Sequence, residues 1–124
     1  MPKTVPDAGI DGELDYIALA TVQHVCSTLG STPSYAEIVA ASLASVTMSS
    51  GDFTKADGDT SGRKLTVAAK TGVSVTASGT ANHIALVTSS GTVVRCTTTC
   101  TSQALTSGNT VNIPSWKIEI GDPT

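Results

Sequence analysis

Aromatic residues are nearly missing: Tyr16, Tyr35, Phe53 and Trp116 are the whole set in 124 residues. A core built around large rings is therefore excluded. Val, Ile, Leu and Ala must fill it, which suits thin sheets packed through branched aliphatic side chains. No apolar run approaches the roughly 18 residues of a membrane-spanning helix, so a membrane is not an expected partner. The start, MPKTVPDAGIDGEL, has no long apolar stretch behind its basic residue and does not read as a signal peptide. Basic clusters are lacking too. Arg63-Lys64 is the only adjacent basic pair and the formal charge is −3, so the footprint that neutralises phosphates in direct nucleic-acid binding is not there.

Groups that carry chemistry are equally scarce. His24 and His83 are the only imidazoles, and neither has a local partner arrangement for acid–base work or nucleophile activation. Cys26, Cys96 and Cys100 form an odd set, which leaves at least one thiol unpaired in a monomer. The last two stand four apart in CTTTC. In a strand that is about 13 Å, too far for a disulfide unless the chain turns, so reduced thiols are expected. CxxxC without a second Cys/His pair leaves a tetrahedral zinc site incomplete. DFTKADGD at 52–59 gathers Asp52, Asp57 and Asp59 beside a glycine, as a calcium loop can, but lacks the EF-hand order and reads as a turn. GDTSGR lacks the order of a phosphate loop. No catalytic residue, metal or cofactor is assigned, and the chain is not expected to be an enzyme.

What is abundant is hydroxyl: 20 Thr and 15 Ser, most of them after Ser42. Thr favours strands, and Ser with 11 Gly favours turns and polar sheet faces. Residues 1–12, with two prolines and two glycines, read as an N-terminal arm; residues 13–124 read as a single β-rich structural domain. ELDYIALA at 13–20 predicts a short helix with Asp11 near its start; TVQHVCST at 21–28 fits a continuation of that helix or a buried strand, and its β-branched residues favour the strand. Ser34 with Glu37 three residues on has capping-box spacing for a helix through YAEIVAAS, pinned to the sheet by Tyr35, Ile38 and Val39. Further strands are expected at 43–50, 64–69, 72–77, 83–89 and 92–98, with the stretch 51–63 between the first two left as turns. SGT at 90–92 joins the last two as a hairpin.

Ile84 and Leu86 alternate with His83, Ala85 and Val87, so both faces of that strand are apolar and both must be covered. In the final stretch, NTVNIPSWKIEI, Val111 and Ile113 alternate, Pro114 breaks the ladder, and Trp116, Ile118 and Ile120 form a second alternating set. That is the pattern of an edge strand or bulge, with Trp116 as a core anchor. The packing candidates are thus Tyr35, Ile84, Leu86, Pro114, Trp116, Ile118 and Ile120. The fold expected is mainly β: an antiparallel β-sandwich or partly closed barrel with two short helices in the N-terminal third.

GDFTKADGDTSGRKLTVAAKTGVSVTASGTANHIALVTS and TTCTSQALTSGNTVNIPSWKIEIGDPT, with LDYIALA and TPSYAEIV before them, resemble small virion structural proteins of tailed phages and prophages. The likeness covers residues 11–124; VQHVCSTLGSTPSYAE departs from it. It implies a capsid decoration (cement) protein, or a head-tail or fibre-associated one. The partners it implies are the major capsid protein and copies of the chain itself, alternatively portal, collar or tail proteins. The place it implies is the outer capsid surface of a virion assembled in the host cytoplasm. It also implies that Gly51, Asp57, Gly58, Gly62 and Arg63 shape the central loop, that Asn82 and His83 begin the hairpin, and that Asn109, Pro114 and Trp116 organise the last strand. A reading of another class is an independent carbohydrate-binding or adhesion module.

Overall fold

The computed structural model describes residues 7–30, 32–59 and 62–120, with the main chain alone at 7–10, 13 and 120. In chain order the elements are α1 (Asp7–Ala18), β1 (Val22–Cys26), α2 (Tyr35–Ala41), β2 (Ser42–Thr47), β3 (Phe53–Asp57), β4 (Arg63–Val67), β5 (Lys70–Ser74), β6 (Gly79–Thr88), β7 (Val93–Leu105), β8 (Thr110–Ile113) and β9 (Trp116–Ile120). The fold is mainly β, antiparallel and sandwich-like, with the two helices first.

One layer is the four-stranded sheet β2-β1-β6-β7; the other is built from β3-β4-β9 and β5-β8. Their inner faces meet in two clusters. Val25, Ala44 and Ile84 pack on Val73, Val111 and Ile113, while Met48 and Leu86 pack on Val67. The outer face of the four-stranded sheet is covered in turn, because Ile38 of α2 and Leu29 lie over Cys26, Ala85 and Val87. This is why residues 84–87 of β6 are buried on both faces. Gly79, at the start of β6, lets Leu43 come close: a Cβ there would stand 3.1 Å from Leu43 Cδ2.

The second layer hides a continuity. Val67 pairs with Trp116 and Lys70 with Ile113, three residues away along each strand, so β4–β5 and β8–β9 keep one register across the gap between their two sheets. Ile113 and Trp116 both face the core although inward positions on a flat strand are an even number apart. The chain therefore makes a half-turn at Pro114-Ser115, and Ser115 Oγ fixes it by donating to Val67 O at 2.9 Å. A bulge follows between Lys70 and Val73. Gly72 supplies its positive φ of 66°, and its N–H donates to Asn112 Oδ1 at 2.9 Å. Among the described residues the main chains of the two layers join along one side, where the Thr76 N–H donates to Leu43 O at 2.8 Å beside the bridge Ala44↔Val75.

Three expectations need correction. The first helix begins at Asp7 rather than Glu13, so residues 7–12 of the stretch read as an arm are its first turns; residues 1–6 lie outside the described residues. Gly9 and Gly12 depress helix propensity locally, but Leu14 buried on Leu65 and an Asp11–Arg63 ion pair at 2.9 Å hold α1 in place. The stretch 51–63 is not all turn: β3 runs through it, a polar edge strand with no apolar alternation to announce it. And β7 runs to Leu105 instead of ending near residue 98, because residues 103–105 pair with Gly79, Thr80 and Ala81 at the start of β6.

Candidate functional site

β1 and β6 place the chemistry-bearing side chains on the face beneath α2. Cys26 stands directly across from His83 in the ladder, and Asn82 Oδ1 lies 2.7 Å from His83 Nδ1, with Asn82 Nδ2 donating to Thr28 Oγ1 at 2.9 Å. Thiol, imidazole and amide in that order are the parts of a thiol nucleophile site. The thiol, however, is fully buried, is directed at Ile38 O (3.8 Å), and is pushed up to about 11 by desolvation and by nearby Cys100. A reactive cysteine needs the opposite, a thiolate held by an electropositive, accessible site. Cys26, Cys96 and Cys100 are all free, and desolvation raises the other two as well. His24 is 8% exposed, and its ring Nδ1 shares a hydrogen bond of 2.8 Å with Ser42 Oγ, which itself lies 3.2 Å from Ala44 O. Burial holds its pKa below the ordinary imidazole value.

The acidic segment is dispersed among cations. Asp52 pairs with Lys70 at 2.9 Å, Asp57 with Arg63 at 2.9 Å, and Asp59 with both Lys64 and Lys117. The Lys70 ammonium, then the Ser49 amide, hold the Asp52 carboxyl below its usual range. Among the described residues no three His, Cys, Asp or Glu side chains converge as metal ligands would.

The packing candidates divide differently. Ile84 and Leu86 are core; Tyr35, the first residue of α2, is half-buried against the cluster of Cys26, Leu29 and Ile38, and Ile118 is half-buried against Leu65 and Val67. The side chain of Ile120 lies outside the described residues. Pro114 and Trp116 meet at a surface feature that the sequence did not announce: the open side of the sandwich. Here β7 is the last strand of one layer and β8–β9 the last of the other, and among the described residues nothing pairs with the outer edge of either. Between them runs a groove of about 460 Å³, floored by Val25, Ile84, Val111, Ile113 and Trp116. Residues 98–101 of β7 and 111–114 beside β8 line it consecutively. A sheet face would contribute every second residue, so it is the strand edges, with their main-chain groups, that wall the groove.

Both walls are locally irregular. Between the pairs His83↔Thr99 and Ala81↔Gln103 the β7 strand has two extra residues, a bulge at the groove mouth, and Pro114 faces it. Trp116 is set firmly in the floor: its Nε1 donates to Oε1 of fully buried Gln23 at 2.8 Å. The walls are uncharged except for Lys117, whose ammonium is engaged by Asp59.

The other edges are protected. β3 is short, carries Lys55 and Asp57, and is tied to α1 by Lys55–Asp15 at 2.7 Å, and β2 is joined to the other layer at Val75. β7 is thirteen residues long with Arg95 as its single charge, and that end alone is sheltered, the guanidinium lying 4.4 Å over the Tyr16 ring of α1. No family model, curated protein or solved structure matches the chain.

Proposed function

We propose that this chain is a structural protein of a tailed-phage particle, which decorates the assembled capsid and stabilises it through repeated protein–protein contacts. The observation that carries the assembly part is the open side of the sandwich. Edge strands are ordinarily shortened, charged or covered, because unpaired main-chain groups invite pairing with another chain. Two of the edges here, β2 and β3, are so treated, and the facing edges of β7 and β8–β9, with the apolar groove between them, are left as a contact surface. The placement on a phage particle rests on the resemblance of residues 11–124. Binding to the assembled shell alone would shift the shell's stability by mass action, and modest contacts repeated over a lattice would add up without any deep pocket.

Copy number and position in native particles, by symmetry-resolved and asymmetric electron cryomicroscopy, test this. A regular array over the shell is the expected result. A few copies at one vertex, collar or tail would replace decoration with an adaptor role, and absence from particles would overturn the reading. The groove also favours one second reading, a glycan-binding module, since Trp116 lies in its floor beside the amides of Gln103 and Asn112. Titration of neutral oligosaccharides into the isolated protein, followed by Trp116 fluorescence, would reveal it.

A further inference from the structure

We infer that the groove between β7 and β8–β9 receives one extended polypeptide segment of another protein, with apolar side chains at alternate positions, which pairs its main chain with the strand edges and closes the sandwich. This deepens the assembly reading above and rests on it for the source of the segment, the shell protein.

The dimensions favour a strand. Packed sheets stand about 10 Å apart, twice the roughly 4.8 Å between hydrogen-bonded strands, so a single strand between the two terminal edges lies within pairing distance of both. The floor dictates the pattern: alternate residues of an inserted strand would point at Val25, Ile84, Val111 and Ile113, and the intervening ones outward to solvent. The walls dictate the charge. With Lys117 already held by Asp59, a charged side chain turned inward would find no partner, and its burial would be costly.

The bulge in β7 selects against the simplest alternative, in which two copies pair β7 to β7. In such a pair both edges would carry the two extra residues at 100–102 and the ladder would be interrupted twice, whereas one extended segment can shift its register past a single bulge. The same bulge turns Cys100 and Thr101 to the groove mouth, where their main-chain groups have no ladder partner on β6. Each of the nine strands described is already paired within the chain, so none of them is free to fill the groove.

The probe is a capped peptide of alternating Thr and Val with Ser at its ends, added to the intact protein. Saturable binding is expected, with a shift in Trp116 fluorescence and slower hydrogen exchange at the amides of 98–101 and 111–113. Two controls leave the protein unchanged. The same peptide N-methylated along its pairing edges, and one with Val replaced by Asp, should each bind at least tenfold more weakly. No saturable binding, or equal binding of the N-methylated peptide, overturns the inference. Peptide binding by a protein absent from particles would sink the capsid reading alone; a protein arrayed on the shell that binds no peptide would sink the groove inference alone.

Discussion

Trp116, in the groove floor, donates to Gln23, whose side chain is fully buried, and that makes the pair's two halves unequal in consequence. Trp116→Phe keeps most of the ring but leaves Gln23 Oε1 buried without a donor, which should cost about 1–3 kcal/mol in denaturant unfolding. Adding Gln23→Leu removes the stranded acceptor, so the double variant should be more stable than the sum of the two single losses. His24 sets the pH response. Its folded pKa lies below the 6.5 of a free imidazole, so between those values the unfolded chain binds the proton that the folded chain refuses. Its contribution to stability is thus complete above about pH 6.5 and is lost as the pH falls from there toward its lower folded value. Urea midpoints measured from pH 7.5 downward should decline in that window for the wild type and decline less for His24→Gln. The ion-paired Asp52, whose pKa is also lowered, acts separately: its contribution persists above the ordinary carboxyl range and is lost only as the pH falls below about 4.

α2 is seven residues long, too short to persist alone, and depends on its ends and on Ile38. Its start is closed reciprocally: Glu37 N–H donates to Ser34 Oγ at 3.2 Å, and Ser34 N–H to Glu37 Oε1 at 3.3 Å. Ser34→Ala should therefore cost about 1 kcal/mol in urea unfolding, and Ser34→Asp should restore most of it. This helix was legible from its residues because capping is a local code, and so were β1, β4 and the β6–β7 hairpin, whose apolar alternation reports burial directly. β3 was not, since a polar edge strand is defined by its neighbour β4 rather than by its own pattern. The second half of β7 was hidden for the same reason. Trp116 and Pro114 were legible as anchors of the last strand, but the groove they share depends on which edges the topology leaves unpaired, and spacing along a sequence does not encode that.

At the scale of the whole molecule, protection is graded from centre to rim. β1 and β6 lie inside the four-stranded sheet, between α2 and the second layer, so their amides should exchange only on global unfolding. The outward amides of β7 and those beside Pro114 should exchange orders of magnitude faster, and mass-spectrometric exchange of the free protein would show the contrast. Uniform protection across β7 and β1 would mean that the open side is closed in solution. A thiol count belongs to this scale too: an aromatic disulfide reagent should find all three cysteines in urea, whereas Cys26 should stay unlabelled in the folded protein.

The shared half-turn at Pro114-Ser115 also constrains how such a chain can change its length over generations. One residue lost or gained between β8 and β9 would rotate Trp116 and Ile118 to the outside while Val111 and Ile113 stayed in, and the opposite strand, fixed at Ala68-Ala69, could not follow. Insertions and deletions should be purged there, because the number of residues decides which face each side chain takes. Kinship to this protein is therefore better sought in the unvarying count of residues from Val111 to Ile118 than in their identities.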